Sequence, residues 1–210
     1  MPRLKVCGIT DAAFAVEAAK RGVDYLGLIF AARSPRHVTT EQAHEIAAAV
    51  SAWRASSPDA SRPRLVGVFV EQDATEIMRI AKAVPLDVVQ LHRTCGAELV
   101  ATPKAEGYEV WRLYGTDFAG EDATLLDGSD GKRQGGTGRR ADWSQIAALK
   151  RAGRRIILAG GLSAANIAAA AATGADVLDV NSSLETAPGV KSVRLLDEFL
   201  ASMSKGNMVK

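Results

Sequence analysis

The sequence predicts a single (β/α)8 barrel, short for that fold. Eight apolar, strand-like runs alternate along the 210 residues with alanine-rich amphipathic stretches. The runs are apolar on both faces, which is typical of parallel strands covered by helices. Strand–helix alternation repeated eight times, with right-handed crossovers, closes into a barrel. A doubly wound open sheet is the alternative, but it more often has fewer strands.

The eight strands are predicted from short runs of apolar residues. In a parallel barrel their carboxyl ends all lie at one face, which is where active sites form. We therefore look for chemistry in the residues that end the strands and in the loops that follow them. In chain order the predicted strands are Leu4–Cys7, Tyr25–Phe30, Leu65–Val70, Asp87–His92, Glu109–Leu113, Ala123–Asp127, Arg155–Ala159 and Val177–Asn181.

Most helices are predicted from a Ser, Thr or Asp side chain that precedes an amphipathic stretch. Thr39 with Gln42 has the pattern of a capping box, and the last helix is predicted from the apolar residues on one of its faces. The predicted helices cover Ala12–Arg21, Ala43–Ser56, the stretch from Asp73 to Ala83, Trp143–Ala152, Ala164–Thr173 and Val190–Met203.

Two of the eight units look reduced. Gly96–Lys104 predicts only a short helix after strand 4, since Pro103 should interrupt it. Gly115–Asp122 is too short and too rich in glycine for a full helix after strand 5. We expect one domain over residues 1–203 and a polar tail over Ser204–Lys210.

The composition is that of a soluble globular protein. The formal net charge of +2 is too small to indicate binding of nucleic acid. Two cysteines, Cys7 and Cys95, do not make a disulfide framework in a chain of this length. No apolar run reaches the length that spans a membrane, and no signal segment precedes the first strand. We expect a cytoplasmic protein, monomeric or weakly dimeric, that binds a small molecule rather than nucleic acid or a membrane.

Cys7 is the leading candidate for chemistry because it ends the first strand and precedes Gly8. A thiol at that face can act as a base or nucleophile if its pKa is lowered; a buried structural thiol is the alternative. Lys5 shares its face, since residues two apart on a strand point the same way. An inward Lys5 needs an acid, and Asp179 on the neighbouring strand 8 is the candidate.

Three further polar residues lie at the same face. Asp127 closes strand 6 and could exchange protons with a ligand opposite Cys7, although a carboxylate there can also cap the next turn. In the loop after strand 2, Arg36 could clamp a carboxylate at two points, with Arg33 as a competitor. His92 ends strand 4 and could donate to a substrate hydroxyl or to backbone.

Two turns predict a phosphate site. Gly160 and Gly161 follow strand 7, Ser182 and Ser183 follow strand 8, and loops at these positions of a barrel often bind phosphate through backbone N–H groups. The basic, glycine-rich loop Gly128–Arg140 has the composition of a lid over an anion, or of a solvated loop. The three histidines lack metal-ligand spacing, so we expect no metal.

Taken together, these residues resemble the phosphoribosylanthranilate isomerases of tryptophan biosynthesis. The matching segments follow the family's order over nearly the whole chain, and the most distinctive are the one that begins at Lys5 and the one that begins at Gly135. They are KVCGIT (5–10), SPR (34–36), VQLH (89–92), LLD (125–127), GGTG (135–138), LAGGL (158–162), DVNSSLE (179–185) and PGVK (188–191).

The resemblance implies an Amadori rearrangement of N-(5-phosphoribosyl)anthranilate to 1-(o-carboxyphenylamino)-1-deoxyribulose 5-phosphate, with no cofactor and no metal. It implies that Asp127 is the general acid that opens the ribose ring and that Cys7 is the general base that takes the proton from C2. Arg36 would hold the anthranilate carboxylate. The other residues that it assigns to the pocket or to phosphate binding are His92, Asp179, Gly160, Gly161, Ser182 and Ser183.

Two other functions remain open at this point. A related isomerase acting on the histidine-pathway aminoaldose would more naturally use two aspartates, so the thiol of Cys7 argues against it. A catalytically silent phosphate-binding or partner module is the alternative from another class. The presence of Asp127 and Arg36 together with Cys7 argues against that one.

Overall fold

The eight predicted strands form a closed parallel barrel in which each strand pairs with the next and β8 pairs with β1. Each predicted strand end lies within one residue of the observed one, because the apolar runs are bounded by turn residues. The computed structural model describes residues 1–57, 62–92, 96–115, 120–128 and 142–205. The strands are β1 Arg3–Cys7, β2 Tyr25–Ile29, β3 Arg64–Phe69, β4 Val88–Leu91, β5 Glu109–Leu113, β6 Ala123–Leu126, β7 Ile156–Leu158 and β8 Val177–Val180.

Helices follow most of the strands and cover the outside of the barrel. A short antiparallel hairpin, β9 Glu185–Ala187 and β10 Val190–Lys191, lies between β8 and the last helix. Turns of 3-10 helix cover Trp143–Gln145 and Ser182–Leu184. The helices are α1 Ala12–Lys20, α2 Thr40–Ala55, α3 Ala74–Ala83, α4 Ala97–Ala105, α5 Ile146–Arg151, α6 Ile167–Ala172 and α7 Val193–Lys205.

The predicted helix caps are present at the amino ends of the early helices. At α2, Thr39 Oγ1 accepts from the Gln42 backbone at 3.2 Å, and Gln42 Oε1 accepts from the Thr39 backbone at 3.0 Å. Asp11 and Asp73 each accept a backbone N–H three residues ahead, at 2.8 Å. These bonds satisfy amide groups that the first helical turn leaves without a partner.

The prediction that Pro103 interrupts the helix after β4 is wrong. Helix α4 runs from Ala97 to Ala105 with Pro103 inside its last turn. A proline there removes one hydrogen bond near the end of the helix, and its ring is buried against the core. Between β5 and β6 the described residues form no helix, as expected from the length of that segment.

Two later helices begin after their predicted starts. Helix α6 begins at Ile167 because Asn166 closes the preceding turn: its Oδ1 accepts from the Ser163 backbone and its Nδ2 donates to the Gly161 carbonyl. Helix α7 begins at Val193 because the residues before it pair in the β9–β10 hairpin. It ends at Lys205, inside the segment predicted to be a tail.

Polar residues buried inside the barrel indicate where the site lies. At the amino-terminal end the interior is closed by Tyr25 and Trp111, whose rings meet edge to face at 4.9 Å. Further towards the carboxyl ends, the polar residues Lys5, Gln90 and Asp179 are buried among apolar neighbours. Charged groups are costly to bury without a partner, so these positions indicate a binding or catalytic centre.

Some expectations fall outside the described residues. The expected lid lies almost entirely in residues 129–141, including its glycine segment, and Cys95 is also outside. Within the described ranges, no helix combines the length and the apolar character needed to cross a membrane.

Candidate active site

A buried ion pair forms the floor of the candidate site. Lys5 on β1 and Asp179 on β8 lie opposite each other in register, and their Nζ and Oδ2 atoms are 2.7 Å apart. Lys5 has no exposed surface. Burial works to lower its pKa, but the charges of Asp179 and Cys7 outweigh this and raise the pKa above its ordinary value. The ammonium group therefore persists inside the barrel.

Cys7 occupies the next inward position of β1, beside Gly27 of β2. A Cβ atom on Gly27 would lie 2.9 Å from Cys7 Sγ and 3.2 Å from Lys5 Nζ, so only glycine leaves room for the thiol and the ammonium. Burial raises the pKa of the Cys7 thiol and so does the charge of Asp179, while Lys5 and Lys191 work to lower it. The resting group is a thiol with two cations placed to stabilise its thiolate.

Asp127 and His92 meet at the mouth of the barrel. Asp127 directly follows β6, where Ala123 and Leu125 point inward, so strand alternation directs its carboxyl group to the inside as well. His92 directly follows β4, and its Nε2 lies 3.1 Å from Asp127 Oδ2. The side chain of His92 is 17% exposed and that of Asp127 is 9% exposed, which leaves both accessible to a ligand.

Asp179 interacts electrostatically with both Lys5 and the Asp127–His92 pair. Burial raises its pKa; the charge of Asp127 raises it further, while Lys5 and His92 oppose that rise. Asp179 therefore lies within electrostatic range of the Asp127–His92 pair as well as of Lys5. The structure thus brings a thiol, two carboxyl groups and an imidazole around one cavity mouth.

Arg36 packs against Gly8, the residue after Cys7, and is held by a carboxylate. Its Nε and Nη2 donate to the two oxygens of Glu185, each at 2.8 Å. Glycine is required at position 8 for two reasons. A Cβ there would lie 2.7 Å from Arg36 Cδ, and the φ of +72° is one that other residues rarely adopt. Arg33, the competing candidate, is exposed on the surface.

The turns after β7 and β8 lie against each other, as a shared phosphate site requires. Gly160 and Gly161 have φ values of +83° and +66°, which side-chain-bearing residues rarely adopt. Ser183 Oγ donates to the Leu162 carbonyl at 2.7 Å and ties the two turns together. Ser182 is exposed at the same face.

Three buried polar atoms inside the barrel and at its mouth have no hydrogen-bond partner within the described part of the chain: Gln90 Oε1, His92 Nδ1 and Asp179 Oδ1. Buried polar atoms are usually paired, so these indicate contacts that a polar ligand completes. No group of three or more His, Cys, Asp or Glu side chains in the described ranges could hold a metal ion; metal-free chemistry stays a prediction.

Four residues of the site were missed as contributors by the reasoning from sequence. A glycine inside an apolar strand signals close approach of another group, which would have found Gly27. Gln90 could have been identified as well, because it is a lone polar residue two positions before His92 and therefore points to the same side of the strand. No local signal marks Glu185 and Lys191 as neighbours of Arg36, since both reach it through the β9–β10 hairpin.

Comparison with known proteins decides the family. A family model described as N-(5'phosphoribosyl)anthranilate (PRA) isomerase matches residues 4–202. The chain belongs to this family. The N-(5'-phosphoribosyl)anthranilate isomerase of Campylobacter jejuni is 33% identical over 212 residues, covering 98% of this chain and 100% of its own length.

Solved structures of phosphoribosylanthranilate isomerases share the fold. The Thermus thermophilus enzyme has a TM-score of 0.80 at 30% identity, covering 97% of this chain and 98% of its own. Another, in complex with reduced 1-(o-carboxyphenylamino)-1-deoxyribulose 5-phosphate, has a TM-score of 0.76 at 28% identity, covering 98% and 100%. The predicted barrel and the predicted isomerase family are therefore both confirmed, and the silent-module alternative is set aside.

Proposed function

We propose that this isomerase converts N-(5-phosphoribosyl)anthranilate to 1-(o-carboxyphenylamino)-1-deoxyribulose 5-phosphate with Asp127 as general acid and Cys7 as general base. The observation that carries the proposal is the position of Asp179. It pairs with Lys5 beneath the thiol and lies within electrostatic range of Asp127 and His92. Acid and base then reach one sugar from β6 and β1.

Asp127 gives a proton to the ring oxygen of the ribose, the C1–O bond breaks, and the nitrogen lone pair forms a Schiff base at C1. The 3.1 Å contact with His92 supports this role because one proton can be held between the two groups. Either His92 Nε2 donates to the carboxylate or the carboxylic acid donates to Nε2. The second arrangement is the one that is ready for catalysis.

Cys7 then removes the proton from C2 as a thiolate, which gives an enolamine that tautomerises to the ketone. A thiolate with a high pKa is a strong base, and the two nearby lysine cations stabilise it when it forms. The electrons of the C2–H bond move into the C1–C2 bond and those of the imine move to nitrogen. The reaction is an internal redistribution of atoms and electrons, so it requires no redox partner.

The remaining residues bind the substrate. Arg36 keeps one terminal nitrogen, Nη1, without a bond to a described residue, and we assign that edge to the anthranilate carboxylate. The unpartnered atoms of His92 and Asp179 suit sugar hydroxyl groups. The turns with Gly160, Gly161, Ser182 and Ser183 suit the phosphate.

The first prediction concerns the two proton-transfer residues. Cys7→Ala and Asp127→Asn should each lower kcat by about 10²-fold or more, because each removes one partner of a proton transfer. Formation of the ketose from N-(5-phosphoribosyl)anthranilate by purified protein measures this.

The matched controls are Cys95→Ala and Asp197→Asn, of which Asp197 forms an exposed ion pair with Arg21 on the helical surface. Both should keep wild-type rates. Folded wild-type protein that forms no ketose would refute the activity. Near-wild-type rates in Cys7→Ala or Asp127→Asn would leave the activity standing and refute the assigned role.

A further inference from the structure

The β9–β10 hairpin carries Lys191, one of the two lysine cations near the thiol, and it packs against the loops that follow β1 and β2. Thr10 Oγ1 donates to the Gly189 carbonyl at 2.8 Å, which ties the hairpin turn to the loop after β1. A Cβ on Gly189 would lie 2.7 Å from the Pro35 carbonyl oxygen, so the turn also touches the loop after β2. The hairpin therefore closes one side of the site.

Glu185 and Lys191, one from each strand of the hairpin, carry a buried charge network. Glu185 binds Arg36 at two points and accepts from Lys191 Nζ at 2.8 Å. Lys191 also donates to Asn181, to the carbonyl at 2.9 Å and to the side chain at 2.7 Å. The side chains of Glu185 and Lys191 are only 4% and 2% exposed.

This network reaches the backbone next to the thiol through Asn181. A Cβ on Gly8 would lie 2.9 Å from Asn181 Oδ1, the atom that accepts from Lys191. Since Gly8 directly follows Cys7, the Lys191 ammonium lies one hydrogen-bonded group away from the backbone beside the thiol. Lys191 therefore adds a buried positive charge near Sγ.

Charged groups from four elements face Cys7. They are Lys5 beneath it on β1, Asp179 on β8, Lys191 on β10 and Arg36 in the loop after β2. Lys5 is neutralised by Asp179 at 2.7 Å. Glu185 shares its single negative charge between Arg36 and Lys191, so this second group carries a net positive charge towards the thiol.

We infer that the hairpin is a positioning element for the isomerase, in which Glu185 fixes the guanidinium of Arg36 and Lys191 supplies a cation that stabilises the Cys7 thiolate. The inference deepens the proposed function and rests on it. A two-point Arg–Glu contact restricts the guanidinium to one orientation and so reduces the ordering needed when a carboxylate binds. A buried cation near a thiol favours its charged form.

The first part of the inference, that Lys191 stabilises the thiolate, is tested by a measurement that does not need catalytic turnover. In protein with Cys95→Ser, Cys7 is the only thiol, and its alkylation by iodoacetamide is followed against pH. Lys191→Met should move the midpoint to higher pH and lower the alkylation rate at neutral pH by roughly threefold or more. The pH profile of kcat should change with it, with a lower kcat at neutral pH, while KM stays within about twofold, since Arg36 keeps Glu185.

The matched control for this substitution is Lys150→Met, which removes a lysine that pairs with Asp176 at 2.6 Å on the opposite face of the barrel. It should leave both pH profiles unchanged. An unshifted alkylation profile in folded Lys191→Met protein overturns the Lys191 half, whether or not the wild type forms ketose.

The Glu185 half is tested by a split between KM and kcat. Glu185→Gln keeps the shape of the side chain but removes its charge, and KM should rise about tenfold or more with a smaller change in kcat. Glu76→Gln is the matched control, because Glu76 makes the same two-point contact with Arg79, at 2.8 and 2.9 Å, on exposed α3. It should leave KM unchanged.

An unchanged KM in Glu185→Gln would show that Glu185 does not orient Arg36 for the substrate, and a lower KM would show that Glu185 competes with the substrate for Arg36. Either result would overturn the role of Glu185. Wild-type protein without isomerase activity would refute the proposed function itself, and the alkylation experiment would still report on Lys191.

Discussion

Among single residues, Cys7 has the environment that bears most directly on catalysis. Its thiol is buried, and burial alone disfavours the thiolate. Lys5 and Lys191 oppose that effect without cancelling it, so the pKa stays above its ordinary value. A base of this kind is strong when it is deprotonated but is present in only a small fraction at neutral pH.

The pH dependence of the reaction follows from this environment. Because the active form of Cys7 is the thiolate and the thiol pKa is raised, the residual kcat/KM of Asp127→Asn protein, in which the general acid no longer titrates, should increase with pH from neutral into the alkaline range, by up to about tenfold per pH unit. Steady-state rates from pH 6 to pH 10 measure this increase. A rate that is flat or falls between pH 7 and pH 9 would contradict the assignment of Cys7 as the base.

The buried Lys5–Asp179 pair beneath the thiol also contributes to the stability of the fold. Asp179→Asn leaves the Lys5 ammonium buried without a carboxylate, so the free energy of unfolding should fall by about 3 kcal/mol. Urea denaturation measures the change.

Asp197→Asn is a suitable comparison, because that carboxylate pairs with Arg21 at the surface and is 53% exposed. Its loss should cost less than about 1 kcal/mol. Equal effects of the two substitutions would show that the interior at Asp179 is far better hydrated than its 8% exposure indicates.

At the scale of elements, the contact between β1 and β2 sets the space available to the thiol. Gly27 lies in register with Cys7 across the two strands. Gly27→Ala should push Sγ out of position and lower kcat by roughly tenfold or more, since a misplaced base loses its alignment with C2. Kinetics measure the loss, and circular dichroism checks that the barrel is intact.

Gly96→Ala provides the control for that substitution. Gly96 precedes α4, has no positive φ, and a Cβ there would meet nothing closer than Glu98 Cγ at 3.9 Å. Its kinetics should match those of the wild type. A Gly27→Ala enzyme with unchanged kcat would show that the thiol can move aside without cost.

The elements differ in how much of them could be predicted from sequence. Strands and capped helices were predictable because hydrophobic period and capping residues act locally, as at Thr39 and Asp73. The continuation of α4 past Pro103 could not be predicted, because it depends on the packing of the proline ring against the core, which is a tertiary contact. Nor could the hairpin, whose short strands are stabilised by contacts with the loops after β1 and β2.

At the scale of the whole molecule, the barrel explains how a site forms from residues far apart in the chain. Cys7 and Asp179 lie on β1 and β8, His92 and Asp127 follow β4 and β6, and closure of the sheet brings β8 next to β1. Their convergence was predictable from fold class alone, because parallel strands put their carboxyl ends at one face. Arg36 was predicted at that face too, but its pairing with Glu185 was not.

Two properties of the whole molecule stay predictions. The first is the expectation of a monomer or weak homodimer, which sedimentation over a range of protein concentrations measures. The second is the expected cytoplasmic location. The proposed catalytic roles depend on neither, because every side chain that carries one belongs to the described residues of one chain.

The most direct test of the central claim is a crystal structure of this protein with reduced 1-(o-carboxyphenylamino)-1-deoxyribulose 5-phosphate bound. We expect Cys7 Sγ within about 4 Å of C2 and an Asp127 oxygen within hydrogen-bond reach of the sugar oxygen that closes the ring, on the opposite side of the carbon chain. We also expect the carboxylate on Arg36 and the phosphate on the turns after β7 and β8. A ligand bound with its C2 remote from Sγ, or with Asp127 and Cys7 on the same side of the sugar, would contradict the account.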